Sequence, residues 1–483
     1  MTEQQKLSIT PSAGFRTWLC ESEISLAFTT YQTNRLCLVG LKSDGGLAVN
    51  ERLFDKPMGL FTHGNRLCLT TRYQIWEFEN RLSPGEIFQG SDCLYMPSRS
   101  HITGNLNAHD IVLDSDQRVL FINTGFSCLA ELRPGYSFAP VWQPPFISQL
   151  VPEDRCHLNG LALKDGKPAY ATACSRTDRV GGWRDCQLDG GIVMDIASNE
   201  IIATGLSMPH SPRWYRGKLW LLNSGTGELG NLDGERFSAV TACLGFVRGL
   251  AFYGDYAVVG LSKLRSNSFT DATLEAKLKA QGKTSQCGLA VVNLMSGTVE
   301  HGFYFDNLIE ELYDVAVLPK VRQPKALGLQ NDDIQRIVTF PESSGLMVTS
   351  PSIKPQGLNQ TLLSAALPEI PDLNEAVRYQ RVYHLTPENL LAYDAMTYPS
   401  LQTRWQTQPP RGELLGVSAS VDGELVGLAV AEGFIDSAEP CSELLSLYVV
   451  PAYRHQDIET KLTQYLQDFA AQQLDCTTVT PNI

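Results

Sequence analysis

Long apolar runs are missing from this sequence. No stretch of its 483 residues approaches the roughly 18 to 20 unbroken apolar residues that a membrane-crossing helix needs. The first residues, Met1 to Lys6, also lack the apolar segment of a signal peptide. We therefore expect a cytoplasmic protein without a membrane span.

Clustered basic residues and closely spaced cysteine pairs are missing as well. The chain has 39 Lys and Arg against 52 Asp and Glu, for a net charge of -13, and its cations are scattered. Binding the phosphates of a nucleic acid needs clustered positive charge, so we expect no nucleic-acid partner. None of the 12 cysteines forms a CxxC pair, and most lie in apolar stretches such as 35–38 and 66–69. This pattern predicts small buried hydrophobic residues, not disulfides or zinc ligands.

The sequence does have an ordinary globular composition, with 43% hydrophobic and 19% charged residues, and an acidic excess at one end. Residues 341–483 carry 7 basic and 17 acidic side chains, which account for most of the net charge. Five prolines fall between 341 and 375. We predict a first domain at 1–340, a linker at 341–375 and a second domain at 376–483.

A pattern of two successive strands recurs six times in the first domain. Each copy has a small or acidic residue, a short apolar strand, a turn, and an alternating apolar strand that ends in small polar residues. The copies begin, on average 51 residues apart, at Gly59, Asp110, Gly160, Pro212, Gly249 and Asp314. This spacing is typical of a four-stranded propeller blade. The longest interval contains a helix-like insertion at 270–282.

The sixth copy lacks a second strand, because its first strand runs into Pro319. Residues 26–32, near the N-terminus, form a strand without a partner that mirrors residues 67–74. We predict that N-terminal strands complete the last blade and close the ring, which hides the open strand edges. The fold class is then mainly β, a six-bladed β-propeller with a small C-terminal α+β module. A β-sandwich, the alternative, explains neither the six copies nor the unpartnered strand.

Polar side chains are expected to gather where the innermost strands begin. The second strand of each blade runs antiparallel to the first, so its end returns to the same face. Three of the chain's 8 histidines precede the innermost strands of consecutive blades. The predicted ligand-binding residues are His109, Asp110, His157, Asn159, Arg176, His210, Arg213, Ser224, Arg248, Lys263 and Asp314.

The three histidines allow a metal hypothesis. His109, His157 and His210 could hold a divalent ion such as Zn²⁺ or Fe²⁺ with one open position. Their different offsets from the repeat, however, suggest different heights along the channel. The structural alternative is that they bond to backbone and channel water, as buried polar groups must.

The arginines and the lysine allow a second hypothesis, binding of a carboxylate or phosphate by charge-assisted hydrogen bonds. Its members are Arg176, Arg213, Arg248 and Lys263. The structural alternative pairs these cations with acidic residues of neighbouring blades, namely Asp154, Asp178 and Glu228. Sequence alone leaves both alternatives open.

Several long motifs of the first domain resemble those of an uncharacterised bacterial family of conserved hypothetical propeller proteins, with cyanobacterial members the most similar. The motifs lie at 153–162 (EDRCHLNGLA) and 207–214 (SMPHSPRW), with shorter ones at 123–129, 181–184, 224–230 and 249–252. The resemblance covers about residues 15–340. It implies a propeller fold and assigns no reaction.

The second domain resembles the acetyl-CoA-binding core of GNAT-type N-acetyltransferases over about 380–480. It has a strand at 444–450, then Pro451, a turn, and a helix from about 458 to 473. In that family a glycine-rich turn holds the cofactor's pyrophosphate on backbone N–H groups. Here the turn reads Arg454, His455, Gln456, Asp457, Ile458 and Glu459.

Two carboxylates replace the glycines that the GNAT pattern requires. Asp457 and Glu459 repel a pyrophosphate, and their Cβ atoms obstruct close approach of the backbone. The later strands of the family also appear absent, since the sequence given ends at Ile483. We therefore expect a degenerate, partial GNAT-like module for which acetyl-CoA is not a cofactor, and which serves in docking to a protein partner or in self-association.

The sequence as a whole favours a propeller that binds a small polar or anionic ligand, or a peptide, at its His- and Arg-lined face. No cofactor is assigned, apart from the possible divalent metal. Three alternatives stay open. They are a metal- or His-dependent hydrolase or lyase on that face, an N-acetyltransferase that uses acetyl-CoA, and a scaffold for protein–protein interaction.

Overall fold

The computed structural model describes residues 7–265, 269–329, 332–339, 347–348, 377–382, 413–421, 424–434, 441–450, 453, 457–474 and 479–481. The chain divides into two compact units, Met1–Pro355 and Gln356–Ile483. The predicted linker at 341–375 lies outside the described residues, except for Met347 and Val348. Among the described helices, none is long and apolar enough to cross a membrane.

The first unit consists mainly of six small sheets, which we call sheets A to F. In sheets A, B and C the strands have the following order, from the innermost strand outward. Sheet A contains β25 (Val315–Pro319), β2 (Ile24–Thr30), β3 (Arg35–Leu41) and β4 (Leu47–Leu53). Sheet B contains β5 (Leu60–His63), β6 (Arg66–Thr70), β7 (Gln74–Asn80), β8 (Cys93–Ile102) and β26 (Pro324–Ala326). Sheet C contains β9 (Ala108–Leu113), β10 (Val119–Asn123), β11 (Cys128–Glu131) and β12 (Ala139–Trp142).

Sheets D, E and F follow the same order. Sheet D contains β13 (Leu158–Lys164), β14 (Lys167–Ala173), β15 (Gly191–Asp195) and β16 (Ile201–Leu206). Sheet E contains β17 (Pro209–Tyr215), β18 (Lys218–Asn223), β19 (Glu228–Asp233) and β20 (Arg236–Ala242). Sheet F contains β21 (Phe246–Tyr253), β22 (Tyr256–Ser262), β23 (Cys287–Asn293), β24 (Thr298–Phe305) and β1 (Ile9–Pro11). A separate hairpin joins β27 (Ile337–Val338) and β28 (Met347–Val348).

The first strands of the six sheets contact one another in a cycle. β5 contacts β9, β9 contacts β13, and the series continues through β17, β21 and β25 back to β5. The six repeat copies predicted from the sequence coincide with these strands, and the predicted second strands coincide with β6, β10, β14, β18, β22 and β2. Small four-stranded sheets around a cycle of first strands are compatible with a β-propeller.

The N-terminal strand pairs with the strand after Asp314, as predicted. β2 lies antiparallel to β25, with Leu26 opposite Val317 and Phe28 opposite Val315. All seven residues of β2 are buried, and Phe28 is fully buried among aromatic side chains of sheet F. The first and last parts of this unit therefore belong to one sheet.

Apolar side chains fill the spaces between neighbouring sheets. Between sheets A and B, for example, Leu36 and Leu38 pack in one cluster with Leu67 and Leu69. Burial of a leucine side chain contributes about 1.5–3 kcal/mol. Most cysteines belong to these layers, and burial raises the pKa of the Cys68 thiol to about 12. They are the small buried hydrophobic residues that the sequence predicts.

Two helices accompany the sheets of the first unit. Helix α1 (Phe15–Glu21) buries Phe15, Trp18 and Leu19 against the core that sheets A and F share. Helix α2 (Phe269–Ala280) is the predicted insertion, and its Leu274 and Leu278 are buried. Their i, i+4 spacing places both on one face of the helix.

The second unit is one sheet with one described helix. Its strands, in sheet order, are β29 (Val377–Val382), β30 (Glu413–Val421), β31 (Glu424–Phe434), β32 (Cys441–Val449) and β33 (Val479–Pro481), and helix α3 spans Ile458–Leu474. Leu462, Leu466 and Phe469 of α3 are buried in the core of this sheet. β33 pairs parallel with β32. One strand therefore does follow the helix, which corrects the expectation that the module ends before any later strand.

Candidate functional site

The innermost strands are irregular where they begin. The register shifts between Leu158 and Gly160 of β13, between His210 and Arg213 of β17, and between Val247 and Leu250 of β21. The pairing of β9 with β10 shifts in the same way. A β-bulge turns a side chain away from the regular alternation. Bulges at the start of four strands therefore re-aim side chains at one end of the ring.

Five side chains from these strand beginnings form what we call the imidazole face, namely His109, His157, His210, Arg248 and Tyr313. The rings of His157 and His109 have centroids 4.8 Å apart, and those of His109 and Tyr313 are 5.5 Å apart. The guanidinium carbon of Arg248 lies 4.8 Å from the centre of the Tyr313 ring. The centre of the Phe246 ring lies 5.2 Å from the guanidinium carbon of Arg248 and 5.9 Å from the centre of the His210 ring.

The three histidines are held in one tautomer by bonds at Nδ1. His109 Nδ1 lies 2.7 Å from the carbonyl oxygen of Asn107, and His210 Nδ1 lies 2.8 Å from that of Met208. A carbonyl oxygen only accepts, so Nδ1 carries the hydrogen in both rings. His157 Nδ1 lies 2.9 Å from Asp154 Oδ2, and the His157 ring stacks on Trp183 at 4.1 Å.

Two of the imidazoles are also kept neutral. Burial lowers the pKa of His109 well below its usual range, and the neighbouring His157 lowers it further. Burial likewise lowers the pKa of His210, with the charge of Arg248 as the second cause. A neutral imidazole with its hydrogen on Nδ1 has a lone pair on Nε2. His109 and His210 therefore present hydrogen-bond acceptors.

Arg248 is the cation of this face. Its guanidinium lies against the rings of Tyr31, Phe246 and Tyr313 at 6.0, 5.2 and 4.8 Å. No carboxylate pairs with it among the residues that the structure describes. Its charge is instead stabilised by the faces of aromatic rings.

Three polar atoms of the imidazole face are buried without a hydrogen-bond partner in the described part of the chain. They are Nε2 of His210, Nε of Arg248 and the hydroxyl oxygen of Tyr313. The His210 side chain is 2% exposed and Tyr313 is 5% exposed. Buried polar groups are almost always bonded, so these three atoms are exceptions that lie within one group of side chains.

Asp110, Arg213 and Asp314 form a separate cluster of charges. Arg213 Nη1 lies 2.8 Å from Asp110 Oδ2, and Nη2 lies 3.5 Å from Asp314 Oδ1. The aspartates also accept backbone N–H groups of the next sheet along, from Leu161 and Leu60, both at 2.9 Å. These bonds lie within the chain and join neighbouring sheets, which favours a structural role for the cluster. A ligand-binding role for these three residues stays a prediction.

Ser224 and Asn159 also have structural partners. Ser224 donates to the carbonyl oxygen of Val247 at 2.6 Å, from sheet E to sheet F. Hydroxyls at equivalent positions donate to the next sheet from Thr29, Thr70, Thr124 and Ser262. Asn159 accepts from Thr172 at 2.7 Å. We call the five hydroxyls the hydroxyl belt, and they explain the small polar residues that end the second strands of sheets A, B, C, E and F.

The remaining predicted cations lie apart from this arrangement. Lys263 pairs with Glu310 at 3.5 Å, and Arg176 is exposed. The acidic partners that the structural alternative predicted also bond elsewhere. Asp178 binds Arg155 at 2.7 Å, Glu228 binds Lys277 at 3.0 Å, and Asp154 binds His157.

The metal hypothesis has less geometric support. Among the described residues no group of three or more His, Cys, Asp or Glu is arranged to hold a metal ion, although His109 and His157 are neighbours. Sequence reasoning also missed two members of the site, Tyr313 and Trp183. Tyr313 directly precedes the predicted Asp314, and Trp183 lies in one of the quoted motifs, at 181–184.

In the second unit, part of the predicted acetyl-CoA turn can be described. Arg454, His455 and Gln456 lie outside the described residues. Asp457 has a φ of 60°, the left-handed region that favours glycine, and it directly precedes helix α3. The backbone at the start of this helix therefore has the conformation of a glycine turn, with two carboxylates, Asp457 and Glu459, beside it.

Two family models match the chain. Residues 13–327 match a domain of unknown function, DUF4915, over more than half of the sequence. The chain belongs to this family. Residues 379–482 match the GNAT acetyltransferase family, in agreement with the sequence resemblance. The comparison with curated proteins found no match.

Solved structures give distant similarities to each part of this DUF4915 protein. The match to a nidogen/laminin complex covers 62% of this chain and 99% of the matched chain, with 12% identity and a TM-score of 0.40. Virginiamycin B lyase from Staphylococcus aureus matches 54% and 78%, with 13% identity and a TM-score of 0.32. An aminoglycoside acetyltransferase from an uncultured soil metagenomic sample matches 23% and 80%, with 15% identity and a TM-score of 0.18. At such scores these proteins carry no information about the function of the chain.

Proposed function

We propose that the six sheets of the first domain are the blades of a six-bladed β-propeller whose imidazole face binds a small polar or anionic ligand, or a peptide. The cycle of contacts from β5 through β25 supports the blade count. Ligands of such rings bind where the innermost strands begin and loops converge. The bulges and unbonded polar atoms are at that end.

One observation carries the proposal. Arg248 is a permanent cation without a carboxylate partner in the described residues. It lies beside two buried polar atoms that have no hydrogen-bond partner there, His210 Nε2 and the Tyr313 hydroxyl oxygen. Arg248 is half-buried, and a guanidinium whose Nε is buried is stabilised when it binds an anion in a charge-assisted hydrogen bond. Aromatic rings alone compensate only part of its lost hydration.

Ligand-observed saturation-transfer NMR tests this proposal. The full chain is mixed with a set of small carboxylates, phosphates and neutral polyols at millimolar concentration. We expect signals from anionic members that disappear in Arg248→Gln and persist in Arg99→Gln, a matched change at an exposed arginine of β8. Absence of any signal that depends on Arg248 would contradict the proposal.

A second candidate function, a His-dependent hydrolase or lyase, is favoured by the Asp154–His157 pair. A carboxylate that binds Nδ1 of a histidine orients the ring and leaves the Nε2 lone pair to accept a proton, as in general-base sites. His157 also has a φ of 51°, a strained backbone of the kind found at functional sites. Turnover of a bound ligand that is lost in His157→Gln, with binding retained, is the expected result. A bound ligand that the full chain leaves chemically unchanged contradicts this candidate.

We also propose that the GNAT-like module does not turn over acetyl-CoA and serves instead in docking or self-association. Two carboxylates, Asp457 and Glu459, stand where a pyrophosphate would approach the start of helix α3. The full chain is expected to show neither thermal stabilisation by acetyl-CoA nor acetyl transfer, and Asp457→Gly with Glu459→Gly is expected to create none. Acetyl transfer by the unaltered chain would overturn this part and favour the N-acetyltransferase alternative.

A further inference from the structure

The imidazole face presents a definite pattern of donors and acceptors. Its donors are the guanidinium of Arg248 and the hydroxyl of Tyr313, whose oxygen is buried and unbonded among the described residues. Its acceptors are the Nε2 lone pairs of His109 and His210. A ligand that satisfies all four needs an anionic group and at least two groups that donate hydrogen bonds.

We propose that the ligand of this face is a small carboxylate that carries hydroxyl groups next to its carboxyl group, a polyhydroxy monocarboxylate. This inference rests on the proposed function and names its ligand class. The carboxylate binds Arg248 and Tyr313, and two hydroxyls donate to His109 and His210. Each contact matches a donor to an acceptor.

The charge of the face selects a monoanion. Arg248 is its one unpaired cation in the described part of the chain, whereas His109 and His210 are held neutral by burial. Asp154 adds a negative charge beside His157. A phosphate dianion would face one cation and a nearby carboxylate, so a carboxylate monoanion is the better electrostatic match.

The acceptors select hydroxyl groups over further anionic oxygens. A lone pair on a neutral imidazole repels an oxygen that carries no hydrogen and binds one that donates. An ammonium group would also donate, but it would lie among the same side chains as the Arg248 guanidinium, and like charges at this distance repel. Hydroxyl groups therefore suit the two imidazoles best.

Isothermal titration of the full chain with three matched probes tests this inference. The probes are glycerate, which has a carboxylate and two hydroxyls, propionate, which has the carboxylate alone, and glycerol, which has hydroxyls alone. Two lost hydrogen bonds lower affinity by at least about tenfold. We expect glycerate to bind at least about tenfold more tightly than propionate, and glycerol not to bind.

Two variants assign this preference to the imidazoles. In His210→Phe the ring remains aromatic but one of the two acceptors is lost, so the preference for glycerate over propionate should fall by at least about threefold. The matched control is His63→Phe, at an exposed histidine that ends β5. It should keep the preference for glycerate unchanged.

The outcomes separate this inference from the proposed function. Equal affinity of the unaltered chain for glycerate and propionate, with both lost in Arg248→Gln, overturns the hydroxy-carboxylate class and leaves an anion site. A preference for glycerate that is undiminished in His210→Phe also overturns the assignment. If inorganic phosphate binds through Arg248 and glycerate does not, the monoanion argument is wrong. If no anion depends on Arg248, the proposed function itself fails.

Discussion

Two arginines near the axis of the ring differ in what surrounds them. Arg213 lies between Asp110 and Asp314, so its charge is balanced inside the chain. Arg248 lies against aromatic rings, beside imidazoles that burial keeps neutral. We expect the first arginine to stabilise the fold, and we propose that the second binds a ligand. Substitution of Arg213 should therefore lower stability, whereas substitution of Arg248 should lower ligand affinity.

Arg213→Met should destabilise the protein strongly. Removal of one partner leaves two buried carboxylates without compensation, and breaking a buried ion pair costs about 3–5 kcal/mol. Urea denaturation of the full chain measures this loss. The control is Arg179→Met, which removes an exposed pair with Asp185 at 2.9 Å and should cost less than about 1 kcal/mol. Similar losses in both variants would show that the cluster does not hold the sheets together.

The contribution of His210 to stability should fall as the pH drops below about 6.5. Burial lowers the pKa of His210, so the unfolded chain takes up a proton there that the folded chain does not. At pH 5.5 this difference is worth about 1 kcal/mol, given an unfolded pKa of about 6.5. Burial raises the pKa of Asp314 despite the opposing charge of Arg213, which acts in the other direction.

The contribution of His210 is isolated by a difference. Urea denaturation at pH 7.5 and pH 5.5 is measured for the unaltered chain and for His210→Gln. On going from pH 7.5 to pH 5.5, the free energy of unfolding of the variant should change about 1 kcal/mol more favourably than that of the unaltered chain. An unchanged pH dependence would mean that this imidazole is not held neutral.

At the level of strands, the hydroxyl belt connects sheets A, B, C, E and F each to the next sheet. Thr124 donates to the carbonyl oxygen of Leu158 at 2.6 Å, and both residues are fully buried. The same contact recurs from Thr29 to Met58 and from Ser224 to Val247. These bonds satisfy carbonyl groups that the bulged strand beginnings leave outside the sheet ladders.

Thr124→Val should therefore cost about 1–3 kcal/mol, because it keeps the shape of the side chain and leaves the Leu158 carbonyl unbonded. Thermal and urea unfolding measure the loss. Thr298→Val, on the exposed part of β24, is the control and should change stability by less than about 0.5 kcal/mol. A belt variant as stable as the control would contradict this role.

The strands could be predicted from the sequence better than the site. The repeat located all six innermost strands because alternating apolar residues and turns are local signals. The repeat also placed the three histidines at one face. Their offsets from the repeat suggested different heights along the channel, because a sequence repeat does not show where β-bulges fall. The pairing of Arg213 with Asp110, 103 residues away, has no local signal. Periodicity alone therefore could not separate Arg213 from Arg248.

For the first domain as a whole, the decisive feature is closure by the N-terminal strand. β2 is entirely buried and lies between β25 and β3, so the ring depends on residues from both ends of the domain. β1, in contrast, is an outer strand of sheet F. Loss of the two strands should have unequal consequences.

A chain that begins at Ala13 lacks β1 and should retain one cooperative unfolding transition with a modest loss of stability. A chain that begins at Gln32 also lacks β2, which exposes the edges of β25 and β3 and much of the core. It should lose cooperative unfolding, as measured by urea titration with near-ultraviolet circular dichroism. Cooperative unfolding of the second chain would show that closure is dispensable.

The central claim is that Arg248 is reserved for an anion from outside the chain. A high-resolution crystal structure of the full chain grown with glycerate tests it most directly. We predict a carboxylate bound to Arg248 and to the Tyr313 hydroxyl, with ligand hydroxyls at His109 Nε2 and His210 Nε2. An Arg248 that pairs with a carboxylate of the protein itself, with only water at His210, would contradict the account.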